Sequence, residues 1–166
     1  MIIGIGGVSN AGKSSLANLL KIELEQDFKV KILCQDDFII AEHKIPKFNG
    51  LTDWECPTSI NHKMFLEAVK RESQNNDIVI SEGLFAFYHN ELSKLYEKKL
   101  FLYIDKDVFK QRKLRDKRWG ESPEWYINHI WDSYKKSGKA KDALGVKKIN
   151  AGNRFDLDNI VSYIKS

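Results

Sequence analysis

The chain has 166 residues, of which 42% are hydrophobic and 30% charged, and its formal net charge is +4. We therefore expect one soluble globular domain that is large enough to bury a core. The two cysteines, Cys34 and Cys56, form neither a disulfide framework nor a CxxC metal pair. The apolar runs are too short for a signal peptide or a membrane span, so we expect a cytoplasmic protein with no membrane partner.

The first apolar stretch, residues 2–5, has the length of a strand and runs into glycines. The following residues fit the pattern Gly-x-x-x-x-Gly-Lys-Ser, and an apolar stripe at helical spacing comes directly after them. This is the P-loop pattern in the strand-and-helix context that it requires. Its backbone N–H groups surround phosphate oxygens, and the helix N-terminus adds partial positive charge. We predict that a nucleotide binds to Gly7, Val8, Ser9, Asn10, Ala11, Gly12, Lys13, Ser14 and Ser15.

Two side chains of this loop have predicted roles of their own. Lys13 is expected to reach the β- and γ-phosphates of the nucleotide, and the Ser14 hydroxyl is expected to coordinate Mg²⁺. The alternative interpretation is a glycine-rich turn between a strand and a helix with an incidental Lys-Ser pair.

The remaining elements alternate between helix and strand. Apolar residues at helical spacing predict helices over 13–28, 59–72, 108–118, 124–134 and 156–164. Ser59 or Thr58 is the expected N-cap of the second of these helices. Unbroken apolar runs predict strands over 30–34, 77–83, 100–105 and 146–150. Such runs indicate an α/β fold with a central parallel sheet of about five strands flanked by helices. Residues 35–58 break the pattern, and a connection of this length is usually functional.

Acidic residues stand at the carboxyl ends of two predicted strands, where open α/β sheets bind their ligands. Asp36 and Asp37 follow the strand over 30–34. An acid there accepts a proton from a substrate hydroxyl or holds Mg²⁺, and the alternative is a solvated pair or a helix cap. Glu82 stands at the end of the strand over 77–83, as a Walker B acid does. Metal contact is its functional interpretation, and a surface carboxylate is the alternative.

The predicted helix over 108–118 is strongly basic. Its cationic residues are Lys110, Arg112, Lys113, Arg115, Lys117 and Arg118. Arg112 and Arg115 share one face, from which they would neutralise a transferring phosphoryl group, whereas a solvated basic face is the alternative. The break over 119–123 suits a lid that closes over phosphates. No nucleic-acid motif accompanies these charges, so we expect no nucleic-acid partner.

Histidines and aromatic residues give weaker signals. No metal spacing relates the histidines, so structural or surface roles are expected for His43, His62, His89 and His129. Packing of the core and the lid is expected for Trp119, Trp125, Tyr126 and Trp131. Phe38 and Trp54 lie in the long connection, where stacking on a flat substrate ring and ordinary packing are equal alternatives.

Several of these features occur together and in a known order. They are the P-loop, the tetrad Gln35–Phe38, the segment 53–57, the triplet 81–83 and the pair Arg112-x-x-Arg115. This set resembles the uridine-kinase-like branch of the P-loop kinases over nearly the whole chain, and within it the nicotinamide riboside kinases most. The resemblance implies a P-loop kinase fold in a single domain, 1–166, with a small helical lid over about 112–126.

The resemblance also implies roles for the acids. Asp36 would be the general base for a ribose 5′-hydroxyl and would lie beside Mg²⁺. Ser14 and Glu82 would be ligands of this Mg²⁺. Asp53 would hold the ribose hydroxyls. The nucleoside would be bordered by Asp37, Phe38, Ile39 and Trp54.

The implied contacts to ATP come from two later segments. Arg112 and Arg115 match lid arginines that touch the phosphates of substrate and ATP. Lys113 takes one of these roles if this helix is aligned with that of the family one residue differently. Adenine would be contacted by the turn Gly152, Asn153 and Arg154.

The activity implied by the resemblance is the ATP- and Mg²⁺-dependent phosphorylation of nicotinamide riboside to nicotinamide mononucleotide, by a monomer or a homodimer. The same chemistry on uridine, cytidine or pantothenate is the nearest alternative. A GTPase switch is disfavoured, because Asp142-x-x-Gly145 follows the lid and no Asn-Lys-x-Asp comes after it. A nucleotide-sensing module without catalysis is a third alternative.

Overall fold

The computed structural model describes residues 1–117, 120, 122–140 and 145–166, and helices and strands alternate along them. In chain order the elements are β1 (Ile2–Gly7), α1 (Lys13–Leu24), β2 (Val30–Cys34), β3 (Lys47–Phe48), β4 (Leu51–Thr52), α2 (His62–Asn75), β5 (Ile78–Gly83), α3 (Asn90–Leu95), β6 (Lys98–Tyr103), α4 (Lys106–Arg115), α5 (Glu124–Ser133), β7 (Val146–Asn150) and α6 (Leu157–Lys165). Short 3₁₀ helices cover Gln35–Phe38, Glu42–Lys44 and Pro57–Ser59, and a π-helical turn over Tyr134–Gly138 extends α5.

Five strands of the described residues form one parallel sheet in the order β2-β5-β1-β6-β7. β1 and β5 are buried along their whole length, which is why their sequences are continuous apolar runs rather than alternating ones. The predicted α/β fold is therefore confirmed. In the register of the sheet, Glu82 of β5 lies opposite Ile5 of β1 and Cys34 of β2, so the ends of three strands meet at this acid.

The core lies between this sheet and the helices that cover it. α1 contributes the fully buried Leu16, Leu20 and Leu24, and α2 contributes Phe65 and Val69. Burying such side chains contributes roughly 1.5–3 kcal/mol each. None of the helices in the described part combines the length and apolar content that crossing a membrane requires.

The long connection after β2 departs most from the prediction. Residues 35–58 contain the 3₁₀ turns and a two-stranded antiparallel hairpin, β3–β4, rather than an irregular loop alone. The cap of α2 was wrongly predicted, because the helix begins at His62 and its N-cap is Asn61 rather than Ser59 or Thr58. Asn61 Oδ1 accepts a hydrogen bond from the Met64 N–H at 3.1 Å, while the Ser59 hydroxyl donates to the Trp54 carbonyl at 3.1 Å.

Several other boundaries shift by a few residues. α1 ends at Leu24 rather than Phe28, β6 begins at Lys98 rather than Leu100, and the short α3 has no counterpart among the predicted elements. α4 ends at Arg115, so the prediction of helix was wrong for Asp116 and Lys117, and Arg118 lies outside the described residues. These changes leave the order of strands and helices that positions the P-loop as predicted.

Candidate active site

The loop between β1 and α1 has the backbone conformation that its glycines permit. Gly7 has φ +148° and Gly12 has φ +90°, and a Cβ on Gly7 would lie 2.4 Å from the carbonyl oxygen of Leu102. Inside the loop, the Ala11 N–H donates to the Val8 carbonyl at 3.1 Å. The loop therefore curls over the N-terminus of α1, which is the geometry that presents N–H groups to an anion.

Lys13 and Ser14 start α1, and Ser14 contacts the end of β5. Lys13 Nζ donates to the Val8 carbonyl at 3.2 Å, so this side chain folds back over the loop. The Ser14 hydroxyl donates to Glu82 Oε1 at 2.7 Å, and Glu82 is buried at 2% exposure. A hydroxyl and a carboxylate in contact offer the hard oxygen ligands that Mg²⁺ prefers, which it usually combines with waters and substrate phosphates.

Among the residues that the structure describes, no three His, Cys, Asp or Glu side chains are grouped so as to hold a metal ion. Ser14 and Glu82 fit Mg²⁺ as two of several ligands, the others being supplied by a bound nucleotide and water.

Asp36 and Glu82 are both close enough to Cys34 to affect the pKa of its thiol. Burial raises the pKa of the Cys34 thiol to about 12, and the negative charges of Glu82 and Asp36 add to this rise. Gln35 is fully buried, and its Oε1 accepts a hydrogen bond from the Phe85 N–H at 2.9 Å, which fixes the turn after β2. The structure therefore brings the two predicted strand-end acids together beside the P-loop.

Asp53 occupies a second acidic position, in the segment after the hairpin. Its Oδ1 lies 2.9 Å from His129 Nε2 of α5, and it also accepts a hydrogen bond from the Glu55 N–H at 3.2 Å. The His129 ring is stacked on Phe48 of β3, with ring centroids 3.8 Å apart. His129, for which a structural or surface role was expected, contacts a predicted site residue.

Glu55 is a functional candidate that the sequence prediction missed. Burial raises the pKa of its carboxyl to about 7, the positive charges of Lys113 and Lys13 oppose this rise, and the negative charges of Asp36 and Asp53 add to it. The pKa of the Glu55 carboxyl therefore depends on the charges of Lys13, Asp36 and Lys113. The only sequence signal was its place in the segment 53–57.

A cavity of about 340 Å³ lies beside the P-loop. Its lining residues come from the loop, α1, α4 and the turn after β7, and they are Ala11, Gly12, Ser15, Leu19, Arg112, Ala151, Asn153, Arg154, Phe155 and Leu157. The predicted adenine turn contributes Asn153 and Arg154. Phe155 directly follows this turn and was not predicted, although an aromatic residue at that place is suited to stacking on a base.

Arg112 and Arg115 have different surroundings. Arg112 donates to the Asn10 carbonyl at 3.2 Å and to the Ala151 carbonyl at 2.7 Å, so it joins the P-loop to the turn after β7. Arg115 is exposed, whereas Lys113 is close enough to Glu55 to affect its pKa. Arg118, Trp119, Glu121 and Asp142, which the sequence interpretation also used, lie outside the described residues.

The residues predicted to border the nucleoside are only partly available to a ligand. Phe38 packs edge-on against Phe65 of α2 with ring centroids 5.0 Å apart, and it joins the core. Asp37, Ile39 and Trp54 are exposed.

The aromatic residues of α5 were expected to pack in the core and the lid. Tyr126 and Trp131 are buried as predicted, and Trp125 is 38% exposed and lies near Phe48.

Comparison with known proteins shows consistent similarities. Residues 37–136 match the model of the "Phosphoribulokinase / Uridine kinase family". The nicotinamide riboside kinase of Schizosaccharomyces pombe is 25% identical over 182 residues, covering 81% of this chain and 77% of that protein. Nicotinamide riboside kinase 1 of Rattus norvegicus is 28% identical over 162 residues, covering 86% and 80%. The solved structure of a possible uridine kinase from Bacillus stearothermophilus has a TM-score of 0.57 at 19% identity, covering 88% of this chain and 87% of that one, and it supports the fold.

Proposed function

Since this chain belongs to the phosphoribulokinase / uridine kinase family, we propose that it is the kinase that phosphorylates the 5′-hydroxyl of nicotinamide riboside. The family makes it a phosphotransferase with a hydroxyl acceptor. The choice of acceptor draws on relatives named as nicotinamide riboside kinases, which are 25% and 28% identical to this chain. The product would be nicotinamide mononucleotide, an intermediate of NAD salvage.

The observation that carries the proposal is the contact of 2.7 Å between Ser14 Oγ and Glu82 Oε1, with Asp36 on the neighbouring strand end. It supplies metal ligands and a base beside one phosphate-binding loop. In phosphoryl transfer, the protein contributes mainly positioning and electrostatic stabilisation, and this arrangement serves both.

In the proposed mechanism, the N–H groups over 7–15 hold the ATP phosphates, and Lys13 swings from the Val8 carbonyl to the β- and γ-phosphates. Asp36 orients the acceptor hydroxyl and takes its proton. Ser14 and Glu82 would hold Mg²⁺, which would supply positive charge beside the nucleotide phosphates. Lys113, Arg112 and Arg115 would add positive charge around the transferring group.

The acceptor would lie between the hairpin segment and α5. Asp53 would bind ribose hydroxyls, and the exposed Asp37, Ile39 and Trp54 would border the base together with Phe38. The segment 112–126 would act as the lid of a single domain, 1–166. Adenine would occupy the cavity beside Asn153, Arg154 and Phe155, next to Gly152.

A coupled assay of ADP release tests the proposed function. The purified protein is given Mg²⁺, ATP and, in turn, nicotinamide riboside, uridine, cytidine or pantothenate, and the product is identified by mass. We expect the highest kcat/KM with nicotinamide riboside and a mass gain of one phosphoryl group. ATP binding with no acceptor-dependent ADP release from any member of the panel would contradict a kinase of this kind and favour a nucleotide-sensing module.

The second candidate function is uridine or cytidine kinase activity, which the family match itself favours because the family includes uridine kinases. The same panel decides between the two. A kcat/KM that is higher for uridine or cytidine than for nicotinamide riboside would replace the proposed acceptor while retaining Asp36, Ser14 and Glu82 in their roles.

A further inference from the structure

Helix α4 contacts the P-loop twice at one residue, Asn10. The Arg112 guanidinium donates to the Asn10 carbonyl at 3.2 Å, and Asn10 Nδ2 donates to Asp116 Oδ2, also at 3.2 Å. Because a carboxylate only accepts, the amide nitrogen of Asn10 must be the atom that faces Asp116. Arg112 and Asp116 are four positions apart and therefore share one side of the last turn of α4. That turn holds both the backbone and the side chain of Asn10.

Asp116 has an unfavourable place in the helix. It is the C-cap residue of α4, and its N–H donates to the Arg112 and Lys113 carbonyls at 3.0 and 3.2 Å. A helix has partial negative charge at its C-terminus, so an acid there is destabilising. A half-buried acid at this position is explained if another contact compensates, and Asn10 Nδ2 supplies such a contact.

Asn10 has an unfavourable backbone conformation. Its φ is +59°, in the left-handed region that side chains disfavour, although Asn tolerates it better than most residues. Glycine adopts such angles without strain, as Gly7 and Gly12 do in the same loop. The side chain at this position is therefore not needed for the conformation, and its contact with Asp116 gives it a purpose. Both ends of one hydrogen bond depart from local preference, as residues at functional sites often do.

The last turn of α4 carries positive charge that the proposed reaction uses. Its basic residues are Arg112, Lys113 and Arg115, and Asp116 directly follows them. Stabilisation of the charge on a transferring phosphoryl group depends on where the cations are held, and a misplacement of about 1 Å lowers the rate. A hydrogen bond to a carboxylate is stronger than one between neutral groups, so it suits a contact that fixes this distance.

We propose that Asn10 and Asp116 are positioning residues for phosphoryl transfer, whose hydrogen bond fixes the cationic last turn of α4 against the P-loop. We call this contact the Asn10–Asp116 bridge. The inference rests on the proposed function, and it gives the Asn10 side chain a role separate from that of the backbone N–H groups that hold the phosphates.

A double-mutant cycle tests the bridge. Wild type, Asn10→Gly, Asp116→Ala and the double variant are compared for kcat and for the KM of ATP and of nicotinamide riboside. Asn10→Gly permits the same backbone conformation and removes only the side chain. We expect each single substitution to lower kcat by about 10- to 100-fold, as for loss of a hydrogen bond to a charged group, and to change each KM by no more than about 3-fold. The double variant should lie within about 3-fold of the more impaired single variant, because the bridge is already lost.

Exchanging the two groups gives a second test. Asn10→Asp places a carboxylate against that of Asp116, so we expect its kcat to be lower than that of Asn10→Gly. Adding Asp116→Asn to this variant restores one donor and one acceptor in the reverse direction, and it should raise kcat by about 10-fold. Asp116→Asn alone keeps an accepting oxygen and should fall between wild type and Asp116→Ala.

Two matched controls make the same chemical changes elsewhere. Asn49 also has a positive φ, +47°, and is exposed, and Asp107 is exposed in the first turn of α4. Asn49→Gly and Asp107→Ala should each change kcat by no more than about 2-fold. Thermal melting without nucleotide is a readout that does not depend on activity. Each bridge variant should melt about 2–4 °C below wild type, and the double variant should melt no lower than the less stable single variant by more than about 1 °C.

Losses in kcat that multiply in the double variant, or single variants with wild-type kcat, would overturn the bridge while the wild-type activity still supports the proposed function. A raised KM for ATP at unchanged kcat would assign Asn10 to nucleotide binding and would likewise overturn the positioning role. A wild-type protein without acceptor-dependent ADP release would instead overturn the proposed function, and this inference with it.

Discussion

Asp53 Oδ1 and His129 Nε2 lie 2.9 Å apart, and the two side chains are only 13% and 14% exposed. Because a carboxylate oxygen accepts, the imidazole Nε2 carries the proton and donates it. The contact joins the segment after the hairpin to α5, and the first residues of α5 belong to the proposed lid over 112–126. Phe48 stacked on the same ring strengthens this connection.

His129→Ala should weaken acceptor binding while leaving ATP binding unchanged. Without its donor, the Asp53 carboxylate loses a charge-assisted hydrogen bond and its fixed orientation, and we expect a rise in acceptor KM of about 10-fold. His129→Gln, which retains a donor, should recover part of the loss. Steady-state kinetics with each substrate varied in turn measures this.

His43→Gln is the control for His129, because His43 is an exposed histidine in the 3₁₀ turn Glu42–Lys44. An ATP KM that rises as much as the acceptor KM in His129→Ala would indicate a general structural defect rather than loss of Asp53 positioning.

Asp36→Ala should retain ATP binding and lose turnover. A general base that positions the attacking hydroxyl contributes about 10²- to 10⁴-fold to the rate. Nucleotide binding is measured by titration with a fluorescent ATP analogue, and kcat by ADP release. Asp158→Asn, an exposed substitution on α6, is the control. Near-normal kcat in Asp36→Ala would remove Asp36 from the catalytic role.

Phe155→Ala should weaken ATP binding without changing the acceptor KM. Phe155 lines the cavity of about 340 Å³ and lies about 3.4 Å from the position that a Gly12 Cβ would take, so its ring forms a wall beside the P-loop. Loss of a ring that stacks on a base costs about 1–3 kcal/mol, so KM for ATP should rise by roughly 5- to 100-fold. An unchanged KM for ATP would show that adenine binds elsewhere.

Glu55→Gln should stabilise the folded protein above neutral pH. The folded state holds the Glu55 proton with a pKa of about 7, against 4.5 for the ordinary carboxyl, because burial outweighs the attraction of Lys113 and Lys13. Between these pH values the folded state binds the proton that the unfolded state has released, so wild-type stability falls as pH rises. The Glu55→Gln side chain does not titrate, so the stability of the variant does not fall in this way as pH rises.

At pH 8 the gain in free energy of unfolding is expected to be about 1–3 kcal/mol, and at pH 4 the two proteins should be nearly equal. Urea unfolding at both pH values measures the difference. A gain that is the same at pH 4 and pH 8 would show that it does not come from ionisation of Glu55.

Local patterns were enough to predict the loop between β1 and α1 and the strand ends that meet beside it. The glycine spacing of the P-loop and the apolar runs before Asp36 and Glu82 are set by short-range chemistry, and parallel strands bring their ends together without further information. The acceptor side depends on tertiary contacts. Asp53 and His129 are 76 positions apart, and no periodicity in the sequence links them.

The sequence also contained no sign that the carboxyl of Glu55 would be buried, because burial there results from packing of the hairpin segment. The cap of α2 was missed for a local reason. Thr58, Ser59 and Asn61 are all good N-cap residues, and in the structure Asn61 caps the helix while the Ser59 hydroxyl donates to the Trp54 carbonyl.

The hairpin β3–β4 and helix α5 are held together by His129 stacked on Phe48 and by the Tyr126 hydroxyl, which donates to the Thr52 carbonyl at 3.3 Å. If the hairpin were replaced by that of a relative in order to change which nucleosides are accepted, His129 and Tyr126 would lose their contacts with the hairpin. The two segments form one exchangeable module, so redesign of acceptor range requires transplanting them as a pair.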